Sequence, residues 1–442
     1  MNINEAVEKF SSGNSLEKSE IKEVFLSIMN NECNDAEIIA FLMTLKTKGE
    51  TVEEIAGAAE VLREMCQKLE LNSNQLVDTC GTGGDGQNTF NISTASAIVA
   101  AAAGVKIAKH GNKSISSKSG SADLLEHSGI NIDLDKEQAK KCFDDNGITF
   151  MFAPKYHKAM KSVSTVRKSI KTRTIFNVLG PLSNPANAKF QILGVYDKNL
   201  VLPIAEVVKD LGITRAMVVH SEEGLDEISC EKNTYVAELK DGKISEYTIN
   251  PKDFGLQISA LETLKVNTVE ESYQIFISML NNKDEAAVNI VSLNAGAAIY
   301  ISGIKENLKS GIEFAKEIIS SGKAMQKFED IKKSMPEKIK TPKILEEILE
   351  NKVKEVAEKK IKISIQDLKE IDYMSSLKRD FKGALMHKIS QNKDAVIAEI
   401  KRASPSMGEL NMNIIPAKVA SDFEAMGAAC LSVLTDAKYF KG

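Results

Sequence analysis

The sequence GTGGDG at residues 81–86 constrains the possible fold more than any other feature of the chain. A short apolar run that starts at Leu76 precedes it and the alanine-rich segment 91–103 follows it, so the pattern predicts a strand, a tight loop and a helix. Asn91 or Ser93 would cap that helix. Because free backbone amides at a helix N-terminus bind phosphate readily, the loop predicts a phosphate site.

Short apolar runs alternate with alanine-rich helical stretches after Leu76, as at 105–108, 190–195 and 216–220. This alternation predicts an α/β domain with a mainly parallel sheet. The apolar positions of the opening residues are instead spaced as in helices. We therefore predict an all-helical domain at 1–72 with residues 161–182 packing back on it, an α/β domain at 73–333, a linker at 334–343 and a further unit at 344–442.

The composition is that of a globular enzyme, with 43% hydrophobic and 27% charged residues among 442. A net charge of −4 argues against a surface that binds nucleic acid. No run of roughly 18 apolar residues is present and the N-terminus does not resemble a signal peptide, so we expect a cytoplasmic protein without a membrane span. The six cysteines form no CxxC pair, which predicts reduced thiols rather than a zinc site or disulfides.

The glycine-rich loop also matches the GxGxxG pattern of dinucleotide-binding domains. Such a domain needs an acidic residue roughly 20 positions further on to hold the ribose hydroxyls. This chain has Lys106, Lys109 and His110 in that region, which excludes a nicotinamide site. A second polar stretch, KHGNKSISS at 109–117, leads into SGSAD at 119–123, and its lysines, serines and glycines suit phosphate oxygens. Two such stretches on either side of one helix favour a phosphate site over two ordinary turns.

Further polar side chains could complete this site. Asp226 and Glu227 follow a predicted strand, at the sheet edge where open α/β folds bind ligands. With a hydroxyl such as that of Ser93, these carboxylates would suit Mg²⁺. Arg167 could bind a carboxylate through two parallel hydrogen bonds. A lone histidine such as His157 is more often structural than catalytic.

Five segments, in this order along the chain, resemble the anthranilate phosphoribosyltransferase family: DTCGTGGDG (78–86), NISTASA (91–97), KHGNKSISSKSGSADLLE (109–126), VRKSIKTRTIFNVLGPLSNP (166–185) and the pair Asp226-Glu227. The resemblance covers about residues 1–333. It implies a small all-helical domain and a larger α/β domain of the nucleoside phosphorylase/phosphoribosyltransferase type, joined into a homodimer through helices. It also implies a Mg²⁺-dependent transfer of phosphoribosyl from 5-phosphoribosyl 1-pyrophosphate (PRPP) to the amine of anthranilate, a step of tryptophan synthesis.

The resemblance assigns roles to individual residues. It implies that PRPP is held by Gly81, Gly84, Asp85, Thr89, Asn91, Ser93, Thr94, Lys109, Ser117 and Ser121. Mg²⁺ would be bound by Ser93, Asp226 and Glu227. Anthranilate would contact Gly81, Asn112 and Arg167, with His110 and His157 as walls of the same pocket. Lys113 departs from the arginine that many relatives have after HGN, which puts one phosphate or loop contact in doubt. No general base is assigned, because an aromatic amine attacks in its neutral form.

A second resemblance, to the indole-3-glycerol-phosphate synthase family, covers residues 344–442. It rests on VIAEIKRASPSMGEL at 396–410 and AACLSVLTDAKYFKG at 428–442. The pattern predicts a charged helix at 344–360, a buried strand at 395–400, a helix at 416–427 and a strand at 428–434. The resemblance places Glu399, Lys401, Ser404 and Pro405 in a vestigial synthase site. Since only about two of eight barrel strands are present, we expect a poorly packed, inactive fragment, from a truncated fusion or a gene-boundary artefact.

Two alternatives remain for the first 333 residues. A pyrimidine nucleoside phosphorylase-like enzyme would share the fold and a similar lysine and serine phosphate segment. The pair Asp226-Glu227 and the stretch FNVLGPLSNP at 176–185 favour the transferase over it. A catalytically silent, nucleic-acid-binding relative should instead lose acids at the metal site and gain a basic face, and the sequence suggests neither change.

Overall fold

The structure is a computed structural model that describes residues 1–113, 118–335, 343–363, 367–368, 379–405 and 407–442. The chain divides into two compact units, Met1–Lys338 and Ile339–Gly442. The predicted linker at 334–343 falls mostly outside the described residues. In the parts of the chain that the structure describes, no helix combines the length and the apolar character needed to cross a membrane.

Four N-terminal helices form a bundle, and capping residues determine where they begin. Asn2, Asn34 and Thr51 each accept a hydrogen bond from the backbone N–H three residues on, and a glutamate at that position bonds back to the cap. In the bundle core the ring of Phe25 lies 5.6 Å from that of Phe176, so a later segment of the chain packs on the bundle. The bundle helices are Ile3–Ser11, Lys18–Met29, Asp35–Lys48 and Val52–Met65, and the later segment forms helices Ser164–Ile170 and Phe176–Leu182.

One seven-stranded sheet forms the centre of the larger domain. Its strands are β1 (Val77–Thr79), β2 (Ile107–Gly111), β3 (Ile148–Phe152), β4 (Phe190–Gly194), β5 (Arg215–Ser221), β6 (Thr234–Lys240) and β7 (Lys243–Ile249). They are ordered β3-β2-β1-β4-β5-β6-β7, with parallel pairing from β3 to β5 and antiparallel pairing of β6 and β7. This confirms the predicted mainly parallel sheet, and it brings the carboxyl ends of β1, β2, β4 and β5 to one edge.

Two largely buried helices, Ile92–Ala102 and Glu285–Ile301, pack against each other in the main core. The helix Glu285–Ile301 also packs closely on the helix Leu308–Ser320, since a Cβ on Gly296 would lie 2.6 Å from the Cα of Ile312. The other helices of the domain are Ser121–His127, Lys136–Asn146, Ala153–Tyr156, Val201–Asp210, Val269–Leu280, Leu308–Ser320 and Lys323–Ser334, with 3₁₀ turns at Lys158–Lys161, Lys198–Leu200, Pro251–Phe254 and Leu261–Leu264.

The second strand differs from the sequence-based expectation. A strand was expected at 105–108 with Lys109 and His110 in the loop after it, whereas β2 spans Ile107–Gly111 and includes both. The cause is its neighbour: β2 pairs with β3 over five residues, so its polar end is held in the sheet by backbone hydrogen bonds.

The second unit has few buried apolar side chains among its described residues. The strand expected at 395–400 is present, but the expectation that it is buried is wrong. Ile397 is 49% exposed while Ile400 is buried, because the described residues place only one strand beside it. The parallel pair is Ile397–Ile400 with Cys430–Val433, the antiparallel pair is Ala403–Ser404 with Gly408–Glu409, and the helices are Lys343–Lys362, Phe381–Ser390, Pro416–Ala425 and Ala437–Phe440.

Candidate active site

The glycine-rich loop lies at the carboxyl end of β1, and its backbone requires glycine. Gly83 and Gly84 have φ angles of 65° and 72°, in the left-handed region that other residues rarely adopt. A Cβ on Gly81 would lie 2.7 Å from Oδ2 of Asp226. Without side chains in the way, the loop can bring its backbone amides close to a ligand.

The loop leads into the helix Ile92–Ala102, which is not capped by the side chain of its own N-cap residue. Asn91 occupies the predicted N-cap position, but its side chain does not bond to the helix, and Ser93 lies inside the first turn. The Asn91 amide instead donates to the carbonyl and hydroxyl oxygens of Ser119, at 3.0 and 2.9 Å. The prediction of a side-chain cap was therefore wrong. The N–H of Ser93 instead bonds to the Glu227 carboxylate, so the acid pair lies at the helix start, where the helix dipole favours negative charge.

Lys109 places a buried ammonium group beside this helix start. Its side chain is 3% exposed, and Nζ donates to the carbonyl oxygen of Thr79 at 2.6 Å and to Oγ of Ser93 at 3.2 Å. Within the described part of the chain, this ammonium group donates only to uncharged oxygens. An anionic ligand at the helix start would gain a nearby positive charge that is little screened by water.

The pair Asp226-Glu227 lies against the glycine-rich loop, although the two segments are far apart in sequence. The N–H of Gly83 donates to Oδ2 of Asp226 at 2.8 Å. Burial, and then the charge of Asp85, raises the pKa of Asp226 to about 7, while burial and the charge of Asp226 raise the pKa of Glu227 well above its usual value. Carboxylates crowded in this way are stabilised by a cation.

Two hard carboxylates and the hydroxyl of Ser93 suit Mg²⁺ by donor chemistry. Within the described ranges, no group of three or more His, Cys, Asp or Glu side chains is arranged to hold a metal ion. A metal bound by the pair would therefore need further oxygen ligands from water or substrate, as Mg²⁺ usually has.

Arg167 lies on the helix Ser164–Ile170 and is partly buried, with its guanidinium carbon 5.5 Å from the centre of the Phe176 ring. Burial lowers its pKa. The guanidinium has no hydrogen-bond or ion-pair partner within the described residues. Its parallel N–H groups are thus available to a carboxylate.

His110 and His157 pack against each other, with ring centres 5.1 Å apart. Both are buried, and both ring nitrogens of His110 and Nε2 of His157 have no hydrogen-bond partner in the described part of the chain. Burial lowers the pKa of His110 to about 3 and that of His157 to about 4. Both imidazoles are therefore neutral at pH 7.

The remaining residues predicted from the sequence are placed as follows. Thr94 is buried, and its hydroxyl has no hydrogen-bond partner among the residues that the structure describes. Thr89 forms a backbone bridge with Lys265, and Asp85 accepts a hydrogen bond from the N–H of Gln87 at 3.0 Å. Asn112 is exposed, and its carbonyl accepts from the hydroxyl of Ser121 at 3.2 Å. Lys113, the departure from the family pattern, pairs with Glu126 at 2.6 Å. Ser117 lies outside the described residues.

Three residues at the site, Asp78, Asn184 and Arg173, were not identified from the sequence. Asp78 is fully buried, and it accepts hydrogen bonds from the N–H of His110 at 3.2 Å and from Nδ2 of Asn184 at 2.7 Å. Arg173 donates to the carbonyl of Gly84, and its guanidinium carbon lies 4.3 Å from the centre of the Tyr196 ring. All three stand in the motifs quoted above, but only their spatial neighbours reveal what they contact.

The second unit places its predicted residues on and after the first strand of the parallel pair. Nζ of Lys401 lies 2.5 Å from Oε1 of Glu399. Ser404 is buried and its hydroxyl accepts from the N–H of Met407 at 3.2 Å, with Pro405 next to it in the chain.

Three protein-family models match the chain. Residues 4–66 match the helical bundle domain of a glycosyl transferase family, and residues 73–325 match the α/β domain of the same family. Residues 345–442 match indole-3-glycerol phosphate synthase. These matches cover both units of the chain and agree with the two resemblances found in the sequence.

Similar proteins and structures are anthranilate phosphoribosyltransferases. The enzyme of Clostridium kluyveri is 49% identical over 74% of this chain and 98% of the relative, and that of a Marinomonas species is 50% identical over 75% and 96%. The Thermus thermophilus crystal structure has a TM-score of 0.71 at 37% identity, covering 74% of this chain and 98% of that one. The Saccharomyces cerevisiae structure in complex with PRPP and Mg has a TM-score of 0.69 at 30% identity, covering 75% and 97%.

Proposed function

The chain belongs to the anthranilate phosphoribosyltransferase family, and from this premise we propose that it transfers phosphoribosyl from PRPP to anthranilate with Mg²⁺. The products are N-(5'-phosphoribosyl)anthranilate and pyrophosphate, a step of tryptophan synthesis. One observation carries the proposal: the N–H of Gly83 bonds to Asp226 at 2.8 Å, so the glycine-rich loop and the acid pair lie side by side. A site of this kind suits a substrate that has both a pyrophosphate and a bound metal.

The residues around the helix start would bind the pyrophosphate end of PRPP. The backbone of the glycine-rich loop and the ammonium of Lys109 would hold its oxygens beside the start of the helix Ile92–Ala102. Ser93, Asp226 and Glu227 would hold the metal. When bound, Mg²⁺ would neutralise the charge that develops on the leaving pyrophosphate as its bond to C1 of the ribose breaks.

Arg167 and the two histidines would position the other substrate. The guanidinium of Arg167 would hold the anthranilate carboxylate, with the neutral rings of His110 and His157 beside it. The amine nitrogen forms its bond to C1 with its lone pair, and pyrophosphate leaves with the electrons of the C1–oxygen bond. The amine then releases one proton to solvent. Orientation of the amine behind C1 supplies much of the acceleration.

Product analysis separates this function from its rival. We expect the chain to release one pyrophosphate for each anthranilate consumed when PRPP and Mg²⁺ are present, with a product of the mass of phosphoribosylanthranilate. A pyrimidine nucleoside phosphorylase-like enzyme would instead cleave uridine with inorganic phosphate. Phosphate-dependent cleavage of uridine without any pyrophosphate release would refute the proposal.

We also propose that residues 344–442, as they stand in this chain, have no indole-glycerol-phosphate synthase activity. The support is that the described residues provide one parallel strand pair with exposed apolar side chains, which cannot enclose a substrate. A measurable rate of indole-glycerol-phosphate formation by the 442-residue chain would overturn this.

Two further proposals are a homodimer, which rests on the family resemblance, and a cytoplasmic location, which rests on the lack of a run of roughly 18 apolar residues in the sequence. Light scattering on the full chain tests the first. A mass twice that of one chain would agree with a homodimer, and the mass of a single chain would contradict it.

A further inference from the structure

The pair Asp226-Glu227 is bracketed by buried hydrogen bonds that hold its backbone at both ends. Before the pair, Ser221 and Leu225 exchange two bonds: Leu225 N–H donates to the Ser221 hydroxyl and Ser221 N–H donates to the Leu225 carbonyl, both at 3.0 Å. After the pair, Oδ1 of Asn294 accepts from the N–H of Ile228 at 2.9 Å, and Nδ2 of Asn294 donates to the carbonyl of Ile228 at 2.9 Å. The two acids therefore lie on a short segment that is fixed on either side.

Asn294 is well suited to this role by its place in the fold. It lies on the helix Glu285–Ile301, is 2% exposed, and makes a third hydrogen bond to the carbonyl of Ile290 at 2.9 Å. A neutral amide is the side chain that can both accept from an N–H and donate to a C=O of the same residue. Its helix packs against the helix that contains Ser93, so one rigid helix pair supports both the hydroxyl and the acids.

We propose that Asn294 is a positioning residue for the divalent metal, acting through the backbone of Ile228 on the orientation of Asp226 and Glu227. This rests on the proposed function, because the metal is the one required for phosphoribosyl transfer. Mg²⁺ demands near-ideal octahedral geometry, so small displacements of its ligands weaken binding. Groups that orient metal ligands contribute to metal affinity without touching the ion.

The test compares Asn294→Ala with Asn289→Ala. Asn289 is a buried amide on the same helix, 3% exposed, whose Nδ2 has no hydrogen-bond partner among the described residues. We would measure Mn²⁺ binding in the presence of pyrophosphate by electron paramagnetic resonance of free Mn²⁺. Asn294→Ala should weaken Mn²⁺ binding by about 10-fold or more, within the range found for groups that orient metal ligands. Asn289→Ala should leave Mn²⁺ binding unchanged, even if it lowers the melting temperature.

A folded Asn294→Ala protein with wild-type Mn²⁺ affinity would overturn the proposal. Should that variant not fold, Asn294→Leu keeps most of the side-chain volume while removing both bonds to Ile228, and wild-type Mn²⁺ affinity in it would equally overturn the proposal. If Asn294→Ala loses Mn²⁺ binding while neither the wild type nor this variant consumes anthranilate, the positioning role is supported and the proposed substrate is wrong. If the wild type consumes anthranilate and binds Mn²⁺ with the same affinity as Asn294→Ala, the proposed substrate is supported and the positioning role is wrong.

Discussion

Gly194, at the end of β4, is the residue where one added methyl group should disturb the site most. A Cβ there would lie 1.5 Å from the carbonyl oxygen of Asp226, so Gly194→Ala must displace the acid pair. For Gly194→Ala we expect kcat/KM to fall by about 100-fold and the free energy of unfolding to fall by about 1–3 kcal/mol. The matched control is Gly180→Ala, because a Cβ at Gly180 meets nothing within 4 Å. Equal melting temperatures for the two variants would contradict this account.

The buried histidines should make the fold sensitive to acid. Burial lowers the pKa of His110 to about 3 and of His157 to about 4, whereas an unfolded histidine titrates near 6.5. Between these values the unfolded chain binds more protons, so stability is complete above about pH 6.5 and is lost as the pH falls toward 4. His157→Gln should reduce the slope of unfolding free energy against pH by up to about 1.4 kcal/mol per pH unit. Denaturant unfolding of both proteins between pH 7 and 4.5 measures this slope. The same slope in His157→Gln as in wild type would contradict the argument from burial.

Arg173, just before the helix Phe176–Leu182, contacts the glycine-rich loop. We expect this contact to affect substrate binding more than stability. Arg173 donates to the carbonyl of Gly84 and stacks on Tyr196, and it is exposed to solvent. Arg173→Ala should raise the KM for PRPP by about 5-fold, since one exposed charged hydrogen bond contributes about 1 kcal/mol. Lys168→Ala removes another exposed cation nearby and should leave that KM unchanged. A shift in melting temperature without a shift in KM would show that the contact is only structural.

The sequence allowed the α/β domain to be predicted because strands and helices alternate with clear periodicity, and the site because its motifs are specific. The hairpin of β6 and β7 was missed, although Asp241-Gly242 between two alternating runs is a strong hairpin signal, with φ angles of 50° and 73°. The roles of Asp78 and Asn294 could not be found in this way. Each depends on partners that are distant in sequence, which local periodicity does not encode.

At the scale of the whole molecule, the two compact units should differ in stability. Met1–Lys338 contains three large clusters of buried apolar side chains, whereas in the described part of Ile339–Gly442 the buried apolar residues are Ile400, Ala403 and Cys430. Because buried apolar area is the main stabilising term, the second unit should open first. Hydrogen exchange should be fast at residues 397–400 and 430–433 and slow in β4 and β5. Equal protection in the two sheets would contradict this.

The central claim is that the glycine-rich loop and the pair Asp226-Glu227 form one Mg²⁺-dependent site for transfer of phosphoribosyl to anthranilate. The most direct test is the loss of anthranilate fluorescence with PRPP and Mg²⁺, in wild type and in the double variant Asp226→Ala with Glu227→Ala. The account predicts turnover by wild type that stops without PRPP or metal, and a fall of at least about 100-fold in the variant. No turnover by wild type, or undiminished turnover by the variant, would contradict it.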